Sequence, residues 1–153
     1  MTTIRCVFLG DSGVGKTTIL SKLARNNCKI SPTIGVDNVL FDDKDIHYQC
    51  WDTSGSPQFT AVVDLFSSKS QNKVFVYDSS KPGTFHKEKI DSDTLVVANL
   101  RKNVPAIDPT HISVNIQDDS TRSHLLAVMR RDFEKEEPEV GIVYNKGDCC
   151  LCS

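Results

Sequence analysis

Ile4-Arg5-Cys6-Val7-Phe8-Leu9, followed by Gly10-Asp11-Ser12-Gly13-Val14-Gly15-Lys16-Thr17-Thr18, is the stretch that decides the fold. A short strand-like apolar run ends at a glycine. Lys16 to Asn27 then places Ile19, Leu20, Leu23 and Ala24 on one helical face. The connection fits G-x-x-x-x-G-K-[ST] in the strand–loop–helix setting that gives this motif its meaning. Backbone N–H groups from Asp11, Ser12, Gly13, Val14 and Gly15 can curl around phosphate oxygens, and the helix start adds the positive end of its dipole. Lys16 neutralises charge, Thr17 offers a hydroxyl to Mg²⁺, and Thr18 beside them is expected among the nucleotide-binding residues. A glycine turn with a chance lysine is the plain alternative, and the flanking strand and helix argue against it. The sequence therefore predicts a nucleoside phosphate site.

Outward from this loop, apolar segments alternate between strand-like and helix-like periods, the pattern of an α/β domain with a largely parallel sheet. Val36 to Phe41 and Ile46 to Trp51 flank Asp42-Asp43-Lys44-Asp45 as a hairpin, with Ile46, Tyr48 and Cys50 facing inward. Phe59, Val62, Val63 and Phe66 mark a short amphipathic helix behind Pro57. Lys73 to Tyr77 fits a buried strand, Ile90 to Arg101 a helix, and His111 to Val114 a strand. Leu126, Met129 and Phe133 mark the apolar face of another helix, and Val140 to Tyr144 the last strand. No internal repeat or linker interrupts this order, and the acidic run Glu134 to Glu139 fits a solvated helix end.

The chain has 153 residues, with 20 acidic against 18 basic side chains and 39% apolar residues. A chain of this length buries about 70% of its unfolded surface, so it needs no disulfide or structural metal to fold. The net charge of −2 argues against a protein held to nucleic acid by bulk electrostatics, and no nucleic-acid partner is expected. Only a six-residue apolar-leaning stretch precedes Gly10, too short for a signal-peptide core, and no run approaches a membrane span. A cytoplasmic location is expected, with the cytoplasmic face of an intracellular membrane as its extension. Cys6 and Cys50 are expected as reduced core residues on strands.

Downstream of the phosphate loop stand Ser31-Pro32-Thr33-Ile34-Gly35-Val36-Asp37 and Trp51-Asp52-Thr53-Ser54-Gly55. These segments resemble the two switch regions of Ras-superfamily small GTPases, and the forms GDSGVGKT, TIGVD and WDT are most similar to the Rab branch. The resemblance is dense over residues 1 to 60 and extends to about 146. It implies a P-loop α/β fold, with a mixed six-stranded sheet flanked by helices and the hairpin strand antiparallel. It also implies GTP or GDP bound with Mg²⁺. Lys16, Thr33 and Gly55 would contact the phosphates, and Thr17, Thr33 and Asp52 would serve the metal. Loss of the γ-phosphate contacts would release both segments. Effectors, an exchange factor and a GTPase-activating protein would then engage residues 31–41 and 52–70.

The chain also departs from that pattern. Where most of the family places a glutamine behind the DxxG glycine to orient water, Ser56 stands here, followed by Pro57 and then Gln58, so hydrolysis is expected to be slow or absent. The family reads guanine with N-K-x-D after the fifth strand. One register is Asn115-Ile116-Gln117-Asp118, with Asp118 as the guanine reader and Asn145 and Lys146 in the loop that touches the guanine oxygen. The competing register is Asn145-Lys146-Gly147-Asp148. In either, the family's final helix is expected to be missing, leaving one sheet face uncovered. The domains expected are residues 1–148 as a shortened G domain and 149–153 as a cysteine-rich tail. Cys149-Cys150-Leu151-Cys152-Ser153 resembles Rab prenylation ends, with Cys149, Cys150 or Cys152 as lipid acceptors. A thiol-rich stub or a weak metal site are the alternatives.

The resulting expectation is a Rab-like GTP/GDP switch in vesicle or membrane traffic. A degenerate relative acting as a binding or decoy protein for Rab regulators is the rival, and an ATP-using P-loop enzyme is a third reading.

Overall fold

The computed structural model describes residues 2–25 and 34–134. Six strands form one sheet: β1 (Thr2–Leu9), β2 (Val36–Asp43), β3 (Ile46–Thr53), β4 (Asn72–Asp78), β5 (Thr94–Asn99) and β6 (Ile112–Val114). Their order is β2-β3-β1-β4-β5-β6, with β2 antiparallel to β3 and every other pair parallel. Three α-helices accompany them: α1 (Lys16–Ala24), α2 (Thr60–Lys69) and α3 (Ser120–Phe133). The mixed six-stranded α/β architecture expected from the sequence is present. None of the helices described is long and apolar enough to cross a membrane.

Alternation along the strands sorts the core into two layers. Ile4, Cys6 and Phe8 of β1, with Val74, Val76 and Val97, pack under Ile19, Leu20 and Leu23 of α1 and Leu125, Met129 and Phe133 of α3. Val7, Leu9, Phe75, Tyr77 and Ala98 face the other way, toward Val63, Phe85, Ile90 and Leu100. Cys6 and Cys50 are buried free thiols on neighbouring strands, as expected.

Two expectations are corrected here. Residues 90–101 do not form a helix: Thr94–Asn99 is β5, paired along its length with β4. The unbroken apolar run Leu95 to Ala98 suits a buried parallel strand as well as a helix. The β-branched Thr94, Val96 and Val97 behind the Asp91 turn settle it, since Asp91 Oδ1 accepts bonds from Asp93 N and Thr94 Oγ1 at 2.9 Å each.

The helix thought to be missing is α3. It follows β6, the edge strand, and covers the first layer. Arg122 Nε donates to the Leu23 carbonyl at 2.9 Å, and its guanidinium meets Asp43 at 3.0 Å, which ties α3 to α1 and the β2–β3 turn. With β5 assigned, six strands are in place before residue 115. The strand expected at Val140 to Tyr144 lies outside the described residues.

The connections β4–β5 (79–93) and β5–β6 (100–111) contain no α-helix, although parallel crossovers usually do. Pro82-Gly83, Pro105 and Pro109 exclude one. The first connection makes single 3₁₀ turns at Pro82–Thr84 and Lys87–Lys89 instead. Phe85 stacks edge-on against Tyr77 at 5.1 Å, and the Tyr77 hydroxyl bonds His111 Nδ1 at 2.8 Å and accepts from Ile107 N–H at 2.9 Å. The two arches close over the second layer through these contacts.

Candidate functional site

The site gathers at the carboxyl ends of the parallel strands, where open α/β sheets bind ligands. The loop Gly10–Gly15 leaves β1 and enters α1. Gly15 stands in the left-handed region at φ +104, and a Cβ there would meet Asn99 Nδ2 at 2.5 Å, so only glycine fits. Asn99, at the end of β5, donates from Nδ2 to the Val14 carbonyl at 2.8 Å, with both residues buried. That bond fixes the middle of the phosphate loop to the sheet.

Lys16 is 95% removed from solvent, and its Nζ donates to the Gly10 and Asp11 carbonyls at 2.7 Å each. Burial pushes its pKa down to about 8, against the upward pull of the Asp52 and Asp11 carboxylates. Thr17 Oγ1 donates to Asp52 Oδ2 at 2.5 Å, so two of the residues expected at the metal meet across the loop. A hydroxyl beside one buried carboxylate is a hard-oxygen set of the kind Mg²⁺ takes when phosphates complete its shell. Among the described residues there is no group of three or more His, Cys, Asp or Glu side chains that could hold a metal ion by itself. The residues present fit the ion.

Gly55 packs directly on the phosphate loop: a Cβ added to it would lie 2.0 Å from Ser12 N and 2.7 Å from the Gly10 carbonyl oxygen. Ser54 N–H donates to the Gly35 carbonyl at 2.7 Å, which links the two expected switch segments. Ser56 N–H donates to Ser54 Oγ at 3.2 Å, and Pro57 opens the 3₁₀ turn Pro57–Phe59, in which Gln58 is exposed. Ser12 and Gly13 are exposed at the loop's crest, and Thr18 is half-buried on α1. The Asp11 side chain turns away to His86, whose Nε2 lies 2.9 Å from both carboxylate oxygens. Thr33, Asn145, Lys146 and Cys149 to Cys152 lie outside the described residues.

The Asn115–Asp118 register for the base rests on a placement that is not observed. Asn115 to Asp118 follows the sixth strand, not the fifth, because β5 is Thr94–Asn99. Asn115 Oδ1 accepts from Gln117 N–H at 3.1 Å, and Asp118 Oδ1 accepts from Ser120 N–H and Oγ–H at 2.9 and 2.8 Å. Those bonds to Ser120 hold the Asp118 carboxyl below its usual range and tie it to the first residue of α3.

The residues that do follow β5 are Asn99-Leu100-Arg101-Lys102, and the sequence reading missed all four as site residues. Arg101 NH1 donates to the Gly13 carbonyl at 2.9 Å and to Asp78 Oδ2 at 3.0 Å. Burial would raise the Asp78 pKa, but hydrogen bonds from Ser80 and the Arg101 charge outweigh it and hold the carboxyl low. Loops 99–103 and 115–117 line a cavity of about 420 Å³ beside the phosphate loop. Asn115 thus belongs to the cavity wall, and Asp118 does not. The signal that could have found the fifth strand was Thr94-Leu95-Val96-Val97-Ala98-Asn99, a β-branched run ending in asparagine.

Strand order, phosphate loop and the Thr17–Asp52 pair together define a Ras-like P-loop domain, and the Ras family model matches residues 5–118: the chain belongs to that family. Its similarity runs to Rab-type members. It is 31% identical over 134 residues to the Ras-related protein RABA1c of Arabidopsis thaliana, covering 84% of this chain and 58% of that one. It is 36% identical over 87 residues to the GTP-binding protein ypt3 of Schizosaccharomyces pombe, 53% and 41% of the two chains. Over the same number of residues it is 36% identical to Rab11B of Nicotiana tabacum, 53% and 40%. The chain spans about half the length of these curated relatives.

Proposed function

We propose that this chain is a Rab-type nucleotide switch. It binds GTP and GDP with Mg²⁺ and presents one surface with the triphosphate and another with the diphosphate to partners in membrane traffic. The observation that carries the reading is the buried Lys16 ammonium beside the Thr17 hydroxyl and Asp52 carboxylate, held at one end of the sheet by a phosphate loop tied to β5. Lys16 neutralises phosphate charge, and backbone N–H groups of residues 11–15 bond the phosphate oxygens. Thr17 and Asp52, with Thr33, would hold Mg²⁺, which when bound shields the phosphate charge. Gly55, packed on Ser12, couples phosphate occupancy to residues 52–70, and the Gly35–Ser54 bond carries the change toward residues 31–41.

Hydrolysis is slow in this reading, below the intrinsic small-GTPase rate of about 10⁻⁴ per second, because Ser56 is too short to orient water and Gln58 points into solvent. Prenyl attachment at Cys149, Cys150 or Cys152 would place the domain at a membrane surface. A second reading is favoured by one observation, that Lys102 stands where a base-reading carboxylate is expected: a binding or decoy protein for Rab regulators that does not cycle.

The experiment is to purify the protein without added nucleotide in Mg²⁺ buffer, denature it, and identify and count what is released. Stoichiometric GDP supports a hydrolysing switch and GTP one held in its triphosphate form. An empty site that GTP also fails to fill in titration leaves the binding-only reading.

A further inference from the structure

We propose that the base of the bound nucleotide lies against Arg101 in the cavity between loops 99–103 and 115–117, and that this site accepts guanine and adenine nucleotides alike. The inference rests on the nucleotide reading above and deepens it.

Placement follows from the sheet. The phosphate loop leaves β1, and β5 lies two strands along in the order β1-β4-β5, about 10 Å away at the usual strand spacing, a distance an extended nucleotide spans. Two bonds join the cavity wall to the phosphate loop, Asn99 Nδ2 to the Val14 carbonyl and Arg101 NH1 to the Gly13 carbonyl. A nucleotide with its phosphates on residues 11–16 therefore has the cavity as the adjoining concave surface for its base. Arg101 is held by Gly13 and by the buried Asp78 carboxylate, so its planar guanidinium is fixed at the wall, where it can stack on a purine.

Selectivity follows from the charges on the wall. Guanine offers N–H donors at N1 and its amino group, and a site that chooses it must present an acceptor there, most effectively a carboxylate. Among the described residues the lining has Arg101, Lys102, asparagine and glutamine amides, and apolar side chains, with no carboxylate. Asp118 is engaged by Ser120 at the start of α3, and Asp78 is engaged by Ser80 and Arg101. Lys102, in the left-handed region at φ +53, brings a donor to the rim, which repels guanine's donor edge and suits the ring acceptors common to both purines. Of the amides, Gln117 can turn either end to the base, while Asn99 is held by the Val14 carbonyl and Asn115 by the Gln117 N–H. Stacking and amides without a charged acceptor bind purines with little choice between them.

The test is competition of GTP and ATP against a fluorescent GTP analogue on the full chain in Mg²⁺. The expected result is affinities within about thirtyfold, since a site built around a fixed partner separates related ligands by about 10⁴. A larger preference for GTP overturns the inference while leaving the switch reading intact. No binding of any nucleotide overturns both. The double variant Leu100→Lys/Lys102→Asp, confirmed folded by its thermal melt, should raise the GTP-to-ATP affinity ratio at least about tenfold, as one restored charged hydrogen-bonding pair would. An unchanged ratio in the folded double variant places the base elsewhere and also overturns the inference.

Discussion

Replacing Asn99 with alanine tests the tie between sheet and phosphate loop. The Asn99 side chain donates one 2.8 Å bond to the Val14 carbonyl, both residues are about 1% exposed, and the partner is backbone that cannot turn to find water. Truncation leaves a buried acceptor without its donor, which costs about 1–3 kcal/mol, and the lost amide also leaves a small void. A loss of about 2 kcal/mol is expected, equivalent to a fall in Tm of about 4–8 °C for a domain of this size. The β5–β6 pairing should survive, because it runs through backbone groups that alanine keeps. The cost should therefore concentrate in the phosphate loop. Urea unfolding gives the stability change, and amide exchange should show lost protection around Val14 to Lys16 before the strands open. If nucleotide binding needs the same loop geometry, affinity falls by about tenfold to thirtyfold, the equivalent of 1.4–2 kcal/mol. A variant within about 0.5 kcal/mol of the parent and with unaltered exchange in that loop would refute the assignment of Asn99 as its anchor.

Four further outcomes follow from the geometry. Because burial lowers the Lys16 pKa to about 8 and phosphate binding restores its charge, nucleotide affinity should fall by up to about tenfold per pH unit above pH 8; a flat calorimetric profile from pH 7 to 9.5 would contradict this. In the nucleotide-free protein the sign is opposite: the unfolded chain holds the Lys16 proton to higher pH, so this group's contribution to stability rises between about pH 8 and the ordinary lysine range, as urea melts would register. Gly55→Ala should push residues 54–56 off Ser12, and the fluorescence of Trp51, the single tryptophan, should lose its response to added nucleotide. Ser56→Gln should raise the single-turnover hydrolysis rate by about tenfold or more, and no gain would show that Pro57 keeps the side chain from the phosphate.

The phosphate loop was legible because its chemistry is local: eight consecutive residues carry the function, and the flanking periods declare strand and helix. Asp52 was legible because a hairpin strand with clean alternation from Ile46 to Trp51 leads straight into it. The cavity beyond the phosphate loop was not legible, for a related reason. Leu95, Val97 and Ala98 are buried and Val96 packs half-buried against the second layer, so the apolar residues run without alternation, and a continuous run has no period to separate strand from helix. Reading that stretch as a helix removed one strand from the count, moved the fifth-strand motif to the sixth strand, and made α3 look like an internal helix with nothing after it. One ambiguous hexapeptide thus produced three linked errors. Arg101 was invisible for another reason: its partners, Gly13 and Asp78, are distant in sequence and are joined only by the sheet order.

The coil arches over the second layer also set the order in which the molecule can assemble. A helical crossover can begin to form alone and then dock, whereas residues 79–93 and 100–111 contain only single turns, too short to hold themselves. Phe85, Ile107 and His111 find their partners only after β4 and β5 have paired, because Phe75 and Tyr77 are β4 residues whose exposed faces the arches must meet. Loss of β4–β5 pairing therefore releases both arches, the aromatic cluster and the cavity beside them together. The half of the domain with the cavity is expected to open as one cooperative unit, whereas the half with the phosphate loop has its own helix to fall back on.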